Sequence, residues 1–599
     1  MYQYTPFDRQ FVKARADQYR DQLTRWQAGQ LPEDEFRPLR LQNGWYVQRY
    51  APMLRVAVPY GELSSAQLRV LATIARDYDQ PDAALIESAQ AAQDKLGAVP
   101  VPQGPPVHSR LTKGYAHFTT RQNVQYNWIP LDKSADVMDL LASVNMHGIQ
   151  TSGNCIRNIT SDALAGVSAD EIVDPRPYCE VMRQWSTLHP EFAFLPRKFK
   201  IAVSGALEDR AAIGWHDVGL QLLKNAAGEV GFRVQVGGGM GRTPIIGTVI
   251  REFLPWAQIL CYLEAIVRVY NRYGRRDNAY KARIKILVKT EGQKYFDAVE
   301  AEFKRILDED VGAGVQLIPQ AEFDRIAACF QRPAGVAEVI DAPDLAAANT
   351  GAPLPYARWL QRNVHAHQLR GYRAVTLSLK RAALPPGDAT ADQMHTAASL
   401  AEAYSCGELR VTHDQNLLLP WVRESDLPAL FEAARAAGFA TPNIGLLTDM
   451  INCPGGDFCA LANARSIPIA AAITERFADL DEIYDIGDID LHISGCINSC
   501  GHHHSGHIGI LGVDKDGSEW YQVSLGGSDG STISGESVAG RVIGPSFAAE
   551  EVPDVIEAVI DTYRAERLAD ERFINTVRRI GIAPFKTAAD AQRHLTAKH

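Results

Sequence analysis

The sequence predicts an internally duplicated α+β fold, and three observations lead to this prediction. Two segments with a Thr-x-x-Gln-Asn core, residues 117–129 and 409–422, lie about 290 residues apart. The strand-like run KIAVSG, ending at Gly205, corresponds at the same offset to DLHISG, ending at Gly495. A glycine-rich turn, GGGMG or GGSDG, then follows a strand in each half. Landmarks repeated in one order indicate a duplicated architecture rather than chance.

Each Thr-x-x-Gln-Asn segment is followed by apolar residues spaced i, i+3, i+4, i+7, which form one face of a helix. These are Val137, Leu140, Leu141 and Val144 in the first half, and Leu427, Leu430, Phe431 and Ala434 in the second. Ser134 and Ser425 are the predicted N-caps, and Gly148 and Gly438 end the helices.

The duplication suggests domain boundaries. We predict an N-terminal arm, a first strand–helix–strand–helix unit, a first mixed α/β domain, a linker, a second such unit and a second mixed α/β domain, with bounds 1–50, 51–150, 151–335, 336–355, 356–445 and 446–599. The Pro- and Gln-rich stretch 80–106 is expected to be a surface loop inserted in the first unit.

Composition excludes several classes of protein. The 599 residues contain 46% apolar and 22% charged side chains, as in ordinary globular proteins of several domains. Because no run of 18 apolar residues occurs and the first residues are polar, we expect no signal peptide, no membrane span and a cytoplasmic location. The net charge of −10 argues against general binding to nucleic acid or membrane surfaces.

Four of the nine cysteines form two close pairs, C-x5-C (Cys453 and Cys459) and C-x3-C (Cys496 and Cys500). Four thiolates are what an iron–sulfur cluster requires. Structural zinc, which generally uses tighter knuckles, is the alternative on spacing alone. We expect the other five cysteines to be small buried hydrophobes: Cys155, Cys179, Cys261, Cys329 and Cys406.

The pattern C-x5-C…GC-x-N-x-C-G resembles that of the siroheme-dependent sulfite and nitrite reductases. TSGNCIRNIT, LPRKFKIAVSG and GGGMGRTP have counterparts in that family, and RPLRLQNGWYVQRYAPMLRVAVPYG resembles its bacterial assimilatory sulfite reductase branch. The resemblance implies two ferredoxin-like half-domains plus two mixed α/β siroheme/cluster-binding domains. It also implies that all four paired cysteines hold a [4Fe–4S] cluster, and that Cys500 bridges the cluster to siroheme iron.

A small oxyanion and a polycarboxylate cofactor both need cations, since a buried uncompensated charge is costly. In the run RKFK, strand alternation places Lys198 and Lys200 on one face and Arg197 on the other. The resemblance implies that the two lysines face the substrate and that Arg197 meets a siroheme carboxylate. Without the cysteine pattern, such a run is typical of a solvated strand face.

The resemblance implies further site residues. Arg157, in GNCIRN, matches an anion-binding and proton-supplying position, whereas Arg121, Arg283, Lys285 and Asn498 match cofactor-binding ones.

One position departs from the family, which commonly places an arginine two residues before the first Thr of TTRQ. Here that residue is His117. It is either a titratable donor in the anion site, as its ordinary pKa would permit, or a packing residue. The run His502–His504 follows the bridging cysteine, and we expect it to border the cofactor pocket rather than to bind a separate metal.

The predicted function is six-electron reduction of sulfite to sulfide, in sulfate assimilation and cysteine biosynthesis. Nitrite reduction to ammonia with the same cofactors is the first alternative, and a non-catalytic iron–sulfur or zinc protein is the second. The run GGGMGR fails the G-x-G-x-x-G pattern, because Arg242 stands where the last glycine belongs. Electrons must therefore come from a partner, either an NADPH-dependent flavoprotein subunit or a ferredoxin.

Overall fold

A computed structural model describes residues 1–49, 51–94, 113–309, 317–339, 351–381, 384–531 and 534–593. The strands form four sheets. In chain order the strands are β1 Trp45–Val47, β2 Pro52–Ala57, β3 Glu62–Ser64, β4 Tyr115–Phe118, β5 Asn123–Tyr126, β6 Thr160–Ser161, β7 Ile201–Ser204, β8 Val218–Lys224, β9 Val230–Val236, β10 Thr248–Pro255, β11 Val364–His365, β12 Tyr372–Leu377, β13 Asp388–Thr390, β14 Glu408–Val411, β15 Leu417–Arg423, β16 Ile451–Asn452, β17 Leu491–Ser494, β18 Ile508–Lys515, β19 Ser518–Leu525, β20 Arg541–Val542 and β21 Phe547–Ala548.

The helices follow the same division into halves. Those of the first half are Pro6–Gln27, Glu33–Gln42, Ser65–Asp77, Ala83–Asp94, Ser134–Ser143, Arg176–Ser186, Ile259–Tyr273, Ile284–Glu291, Gln293–Glu309 and Gln320–Ala327. Those of the second half are Leu354–Asn363, Ala391–Tyr404, Leu427–Ala436, Gly455–Phe458, Ile467–Arg476, Leu480–Ile486, Val552–Glu566, Phe573–Ile580 and Ala583–Ala591.

The two ferredoxin-like halves exchange an edge strand. One sheet has the order β1-β2-β5-β4-β13 and the other β11-β12-β15-β14-β3, so each sheet ends on a strand from the opposite half. Both exchanged strands lead directly into a helix whose N-cap forms a capping box, Ser64 with Gln67 and Thr390 with Gln393. These helices, Ser65–Asp77 and Ala391–Tyr404, pack against each other in one hydrophobic core shared by both halves.

A pair of equivalent glutamines joins the halves at their centre. Gln122 and Gln415 both adopt left-handed backbone conformations, with φ of 53° and 61°. Gln122 Nε2 donates to the carbonyl of Val411 across the interface at 3.0 Å, and Gln415 Nε2 donates to that of Phe118 at 3.0 Å. The duplication predicted from sequence is therefore present as an internal two-fold relationship.

The two mixed α/β domains repeat the same sheet. In each, two parallel pairings are followed by an antiparallel one: β6, β7, β8 and β9 in the first domain, and β16, β17, β18 and β19 in the second. Each domain has its own hydrophobic core. The predicted fold class, internally duplicated α+β with two half-domains and two mixed domains, is confirmed.

Several local predictions differ from the structure. Cys406 was expected to be buried but is exposed, and Cys155 and Cys329 are only half-buried. The stretch predicted as a loop contains the helix Ala83–Asp94; residues 95–106 lie outside the described residues, as does most of the predicted linker. A 3-10 turn precedes each repeated helix, so Ser134 is its first residue and Asp426, not Ser425, precedes Leu427–Ala436. Among the described helices, none has the length and apolar character needed to cross a membrane.

Candidate active site

The four paired cysteines open into one cavity between the two halves, with about 1220 Å³ of empty space that includes its solvent-filled mouth. None of the described lining residues is an Asp or Glu, although the chain as a whole is acidic. Six lining side chains are Arg or Lys: Arg55, Arg121, Arg157, Lys198, Lys200 and Arg283. The cavity is thus a cationic compartment with thiols at one end.

Neighbouring parallel strands bring the two cysteine pairs together. Cys453 follows β16 and Cys496 follows β17, and the carboxyl ends of parallel strands meet at the same sheet edge. The Gly495 N–H donates to Cys453 Sγ at 3.2 Å, an amide–sulfur contact of the kind that tunes metal–thiolate centres. A side chain at Gly455, whose φ is 57°, would collide with Ser466, so glycine is needed for this close approach.

The four thiols differ in burial: Cys453 and Cys496 are buried, Cys459 is half-buried and Cys500 is exposed. Burial first, and then the neighbouring cysteines, raise the pKa of Cys453 to about 12 and that of Cys496 to about 11. Four thiolates there require a compensating positive group, which the iron of a cluster supplies. Among the described residues, no three Cys, His, Asp or Glu side chains converge closely enough to hold a single metal ion. Four cysteines in two neighbouring loops are the ligand set that a [4Fe–4S] cluster uses.

Lys198 and Lys200 both line the cavity, whereas Phe199 between them is buried in the hydrophobic core. The predicted alternation is present, and Arg197 is not among the lining residues. Burial lowers the pKa of Lys198 to about 7 and that of Lys200 well below its ordinary value. Neither amino group forms an ion pair with a described carboxylate, so both are open to an anion, whose negative charge would favour their protonated forms.

Arg121 and Arg157 are held by neutral oxygens. Arg121 donates to Thr160 Oγ1 at 2.8 Å and to the Asn158 carbonyl at 2.7 Å, and burial lowers its pKa to about 9. Arg157 donates to the carbonyls of Thr151 at 2.8 Å and Gly153 at 2.7 Å. Backbone carbonyls fix the direction of these guanidinium groups without neutralising their charge.

Arg283 and Lys285 occupy different environments. Arg283 lines the cavity and forms a bidentate pair with the buried Asp217, with N–O distances of 2.7–3.0 Å. Lys285 does not line it; its Nζ donates to the carbonyls of Gly239, Met240 and Thr243 at 3.3, 2.6 and 2.6 Å. Lys285 thus holds the glycine-rich loop.

Asn498 lies on the loop between the last two cysteines and borders the cavity. Its backbone and side chain hydrogen-bond toward Cys496, which partly offsets the rise in that thiol's pKa.

His117 borders the cavity, but both of its ring nitrogens face protein groups. Nδ1 lies 2.6 Å from Asp388 Oδ1, across the exchanged-strand pairing of β4 with β13. Nε2 lies 3.1 Å from Gln415 Nε2, whose two protons are taken by the carbonyls of Phe118 and Asn452. A proton on His117 Nε2 would point at an amide donor. This geometry favours a packing residue over a proton donor.

The three histidines of the run 502–504 have different surroundings. His502 borders the cavity, whereas the ring of the buried His503 lies tilted against that of His504, with centroids 4.0 Å apart. His504 Nε2 lies 2.9 Å from the Gly241 carbonyl.

Sequence reasoning missed Arg55. It lies on β2, lines the cavity and donates to Gln125 Oε1 at 2.8 Å, while its Nε has no partner. The available signal was an arginine within the apolar strand PMLRVA, since an unpaired charge is seldom placed there without a ligand.

Comparison with known proteins agrees with this geometry. Residues 152–307 and 447–596 match the family described as "Nitrite and sulphite reductase 4Fe-4S domain", and residues 376–437 match "Nitrite/Sulfite reductase ferredoxin-like half domain". The first match alone covers more than half of the chain. The chain belongs to the nitrite and sulfite reductase family. Members of this family bind siroheme and a [4Fe–4S] cluster, which the cationic cavity and its thiols would accommodate.

Relatives within the family carry both substrate names. The chain is 27% identical to the assimilatory ferredoxin-dependent nitrite reductase of Haloferax mediterranei over 87% of its length and 80% of the relative's. It is 27% identical to sulfite reductase [ferredoxin] 1 of Mycolicibacterium paratuberculosis, over 78% and 77%. The structure of Mycobacterium tuberculosis NirA aligns with a TM-score of 0.70 at 23% identity, covering 93% of this chain and 92% of that one, and shows the same fold.

Proposed function

We propose that this oxidoreductase reduces sulfite to sulfide by six electrons, in sulfate assimilation. The observation that carries the proposal is the cavity lining, six Arg or Lys side chains with no described carboxylate beside four thiols. Such a lining suits a polycarboxylate cofactor together with a doubly charged oxyanion. Nitrite carries one negative charge, so it would compensate less of the positive charge of this lining.

The chain's own groups divide the work. Cys453, Cys459, Cys496 and Cys500 would hold the cluster, and Cys500 would also bind the siroheme iron. When bound, the coupled cofactors supply single electrons to the substrate without a long transfer gap.

Lys198 and Lys200 would bind the oxyanion, because their ammonium groups face the cavity without a carboxylate partner. Arg157, whose direction is fixed by carbonyls, would orient it. A pKa of about 7 lets Lys198 Nζ give up a proton and regain it near neutral pH, as a reaction that turns substrate oxygens into water requires.

Arg121, Arg283, Asn498 and Arg55 would contact the cofactor. Arg197 and Lys285 were predicted to do so too, and their positions off the cavity lining give those two roles less support.

A ferredoxin-type carrier is the proposed electron donor. The sulfite and nitrite reductases named above are described as ferredoxin enzymes, which favours a ferredoxin over a flavoprotein subunit.

The first test compares substrates. The purified holoenzyme should show a siroheme spectrum and, with reduced methyl viologen, a higher kcat/KM for sulfite than for nitrite. A clear preference for nitrite would overturn the substrate while leaving the cofactor assignment intact.

A second test addresses the bridging thiolate. Cys500→Ser should abolish the magnetic coupling between siroheme and cluster in EPR and stop multi-electron turnover. Cys406→Ser, at an exposed cysteine outside the cavity, is the matched control and should change neither. Turnover of Cys500→Ser at the wild-type rate would refute the assignment.

A further inference from the structure

The internal repeat creates a second cavity related to the cofactor cavity, with about 2280 Å³ of empty space that includes open solvent. The backbone on its walls repeats that of the first. The Lys200 N–H donates to Asp217 at 2.8 Å, and at the equivalent place the Asp490 N–H donates to His507 Nδ1 at 3.2 Å. The turn before Asn123 has the same N–H···O=C bond as the turn before Asn416. The two cavities can therefore be compared position by position.

The positions of the cluster cysteines have counterparts in the first half. Strand β6 leads into the loop 162–168 as β16 leads into 453–459, and β7 leads into 206–210 as β17 leads into 496–500. The residues equivalent to Cys453, Cys459, Cys496 and Cys500 are Asp162, Ser168, Ala206 and Arg210.

In the first half, a cluster of charged side chains occupies the place that corresponds to the cysteines of the second half. Arg210 Nε donates to Asp162 at 2.8 Å, and its Nη2 donates to Ser168 Oγ at 2.8 Å and to Asp170 at 2.7 Å. Arg210 Nη1 also donates to Glu208 at 2.9 Å. Arg210, at the position of Cys500, thus contacts the side chains at the positions of Cys453 and Cys459.

Two cationic positions of the first cavity carry carboxyl groups in the second. Arg121 corresponds to Asp414 and Lys200 to Asp490, and both aspartates line the second cavity with Asp449 and Asp529. Of the described lining residues, seven are Asp or Glu, and the one Arg or Lys is Arg210, already paired. The first cavity is therefore lined by cations and the second by carboxyl groups, and burial with the neighbouring carboxylate of Asp449 raises the pKa of Asp414 to about 7.

We propose that Asp414 and Asp490 are specificity-determining residues that restrict siroheme to one of the two related cavities by repelling its carboxylates from the other. The proposal rests on the siroheme function proposed above. Like charges brought together at a binding surface cost several kcal/mol, enough to lower affinity by a factor of at least about 100. With cations in place of these two carboxyl groups, the second cavity would offer the polycarboxylate the same charges as the first cavity at both positions.

The test titrates a second tetrapyrrole into the holoenzyme. Its own cavity is already filled with siroheme, so added iron-free sirohydrochlorin, followed by its fluorescence, reports the second cavity. Wild-type protein should show no saturable binding. The variant Asp414→Arg/Asp490→Lys should bind one equivalent at least about 100-fold more tightly, and salt should weaken this binding.

Controls separate charge at the cavity from charge in general. Asp132→Arg/Glu475→Lys makes the same change in net charge at exposed positions away from the cavity and should behave like wild type. The milder variant Asp414→Asn/Asp490→Asn should bind sirohydrochlorin about tenfold more tightly than wild type. It tests the proposal even if the charge-reversed variant does not fold. Saturable binding by wild type, or no gain in either folded cavity variant, would overturn the proposal.

The two proposals fail in different ways. Absence of a siroheme spectrum in wild-type protein would refute the proposed function whatever the titration shows, whereas the outcomes above refute only the charge-based restriction.

Discussion

Asp217→Asn is the substitution that tests most directly how the cavity is held in shape. The Asp217 carboxylate is fully buried; it forms a bidentate pair with Arg283 and accepts the Lys200 N–H. The amide keeps the size of the carboxylate and removes its charge. Arg283, 13% exposed, is then left without a counter-ion beside two lysines.

The expected loss in the free energy of unfolding follows from the burial of the Asp217–Arg283 pair. Breaking a buried ion pair on one side costs about 3–5 kcal/mol, because the remaining charge stays desolvated. A unit of 150–250 residues loses about 2–4 °C in Tm per kcal/mol, so 3 kcal/mol corresponds to roughly 6–12 °C. The exposed pair Arg233–Glu252, at 3.0 Å with Glu252 77% exposed, gives the matched control Glu252→Gln, expected to cost less than about 1 kcal/mol.

Calorimetry of the three proteins measures these shifts, and visible absorption measures siroheme content in the same samples. We expect Asp217→Asn to unfold at lower temperature and to retain less siroheme, because Arg283 and the Lys200 strand both lose their anchor. A Tm equal to that of Glu252→Gln would refute the reasoning, since it would mean that the buried charge needs no partner.

Three other perturbations have defined outcomes. Lys198→Met should lower kcat for sulfite by about 100-fold with siroheme still bound, since it removes a cation and a proton donor; loss of siroheme instead would make Lys198 a cofactor contact. His117→Ala should lower Tm by breaking the contact with Asp388, with little change in the pH dependence of kcat; a lost pH-dependent limb would make His117 a proton donor. Burial raises the pKa of Asp79 to about 7, so folding favours its protonated form, and the free energy of unfolding should fall as pH rises from about 4 to 7. Asp79→Asn should flatten that fall in denaturant titrations across this range, and an unchanged slope would contradict the raised pKa.

The duplication and the cysteine loops were predictable because each depends on short motifs of neighbouring residues. The alternation of Lys198 and Lys200 follows from strand geometry alone, and four thiolates in two short loops restrict the possible chemistry. The structure places both lysines and all four cysteines at one cavity, as expected.

Other features depend on partners distant in sequence. Strands β3 and β13 have three residues each, too short for a pattern, and their pairing with the opposite half could not be deduced. Lys285 was predicted to bind the cofactor, but its amino group donates to carbonyls of the glycine-rich loop, which is distant in sequence. Arg55 was not predicted as a site residue because its apolar neighbours indicate an ordinary buried strand.

The strand exchange also constrains how the chain can be made. During synthesis the edge of β4 has no partner until β13, some 270 residues later, has left the ribosome, and β14 pairs with β3 across an even longer interval. Contacts that close such long loops form slowly, and an unpaired edge is a place where other chains can add. Either half expressed alone would lack an edge strand of its central sheet. We expect soluble protein only when both halves are present, whether joined or as two co-expressed fragments.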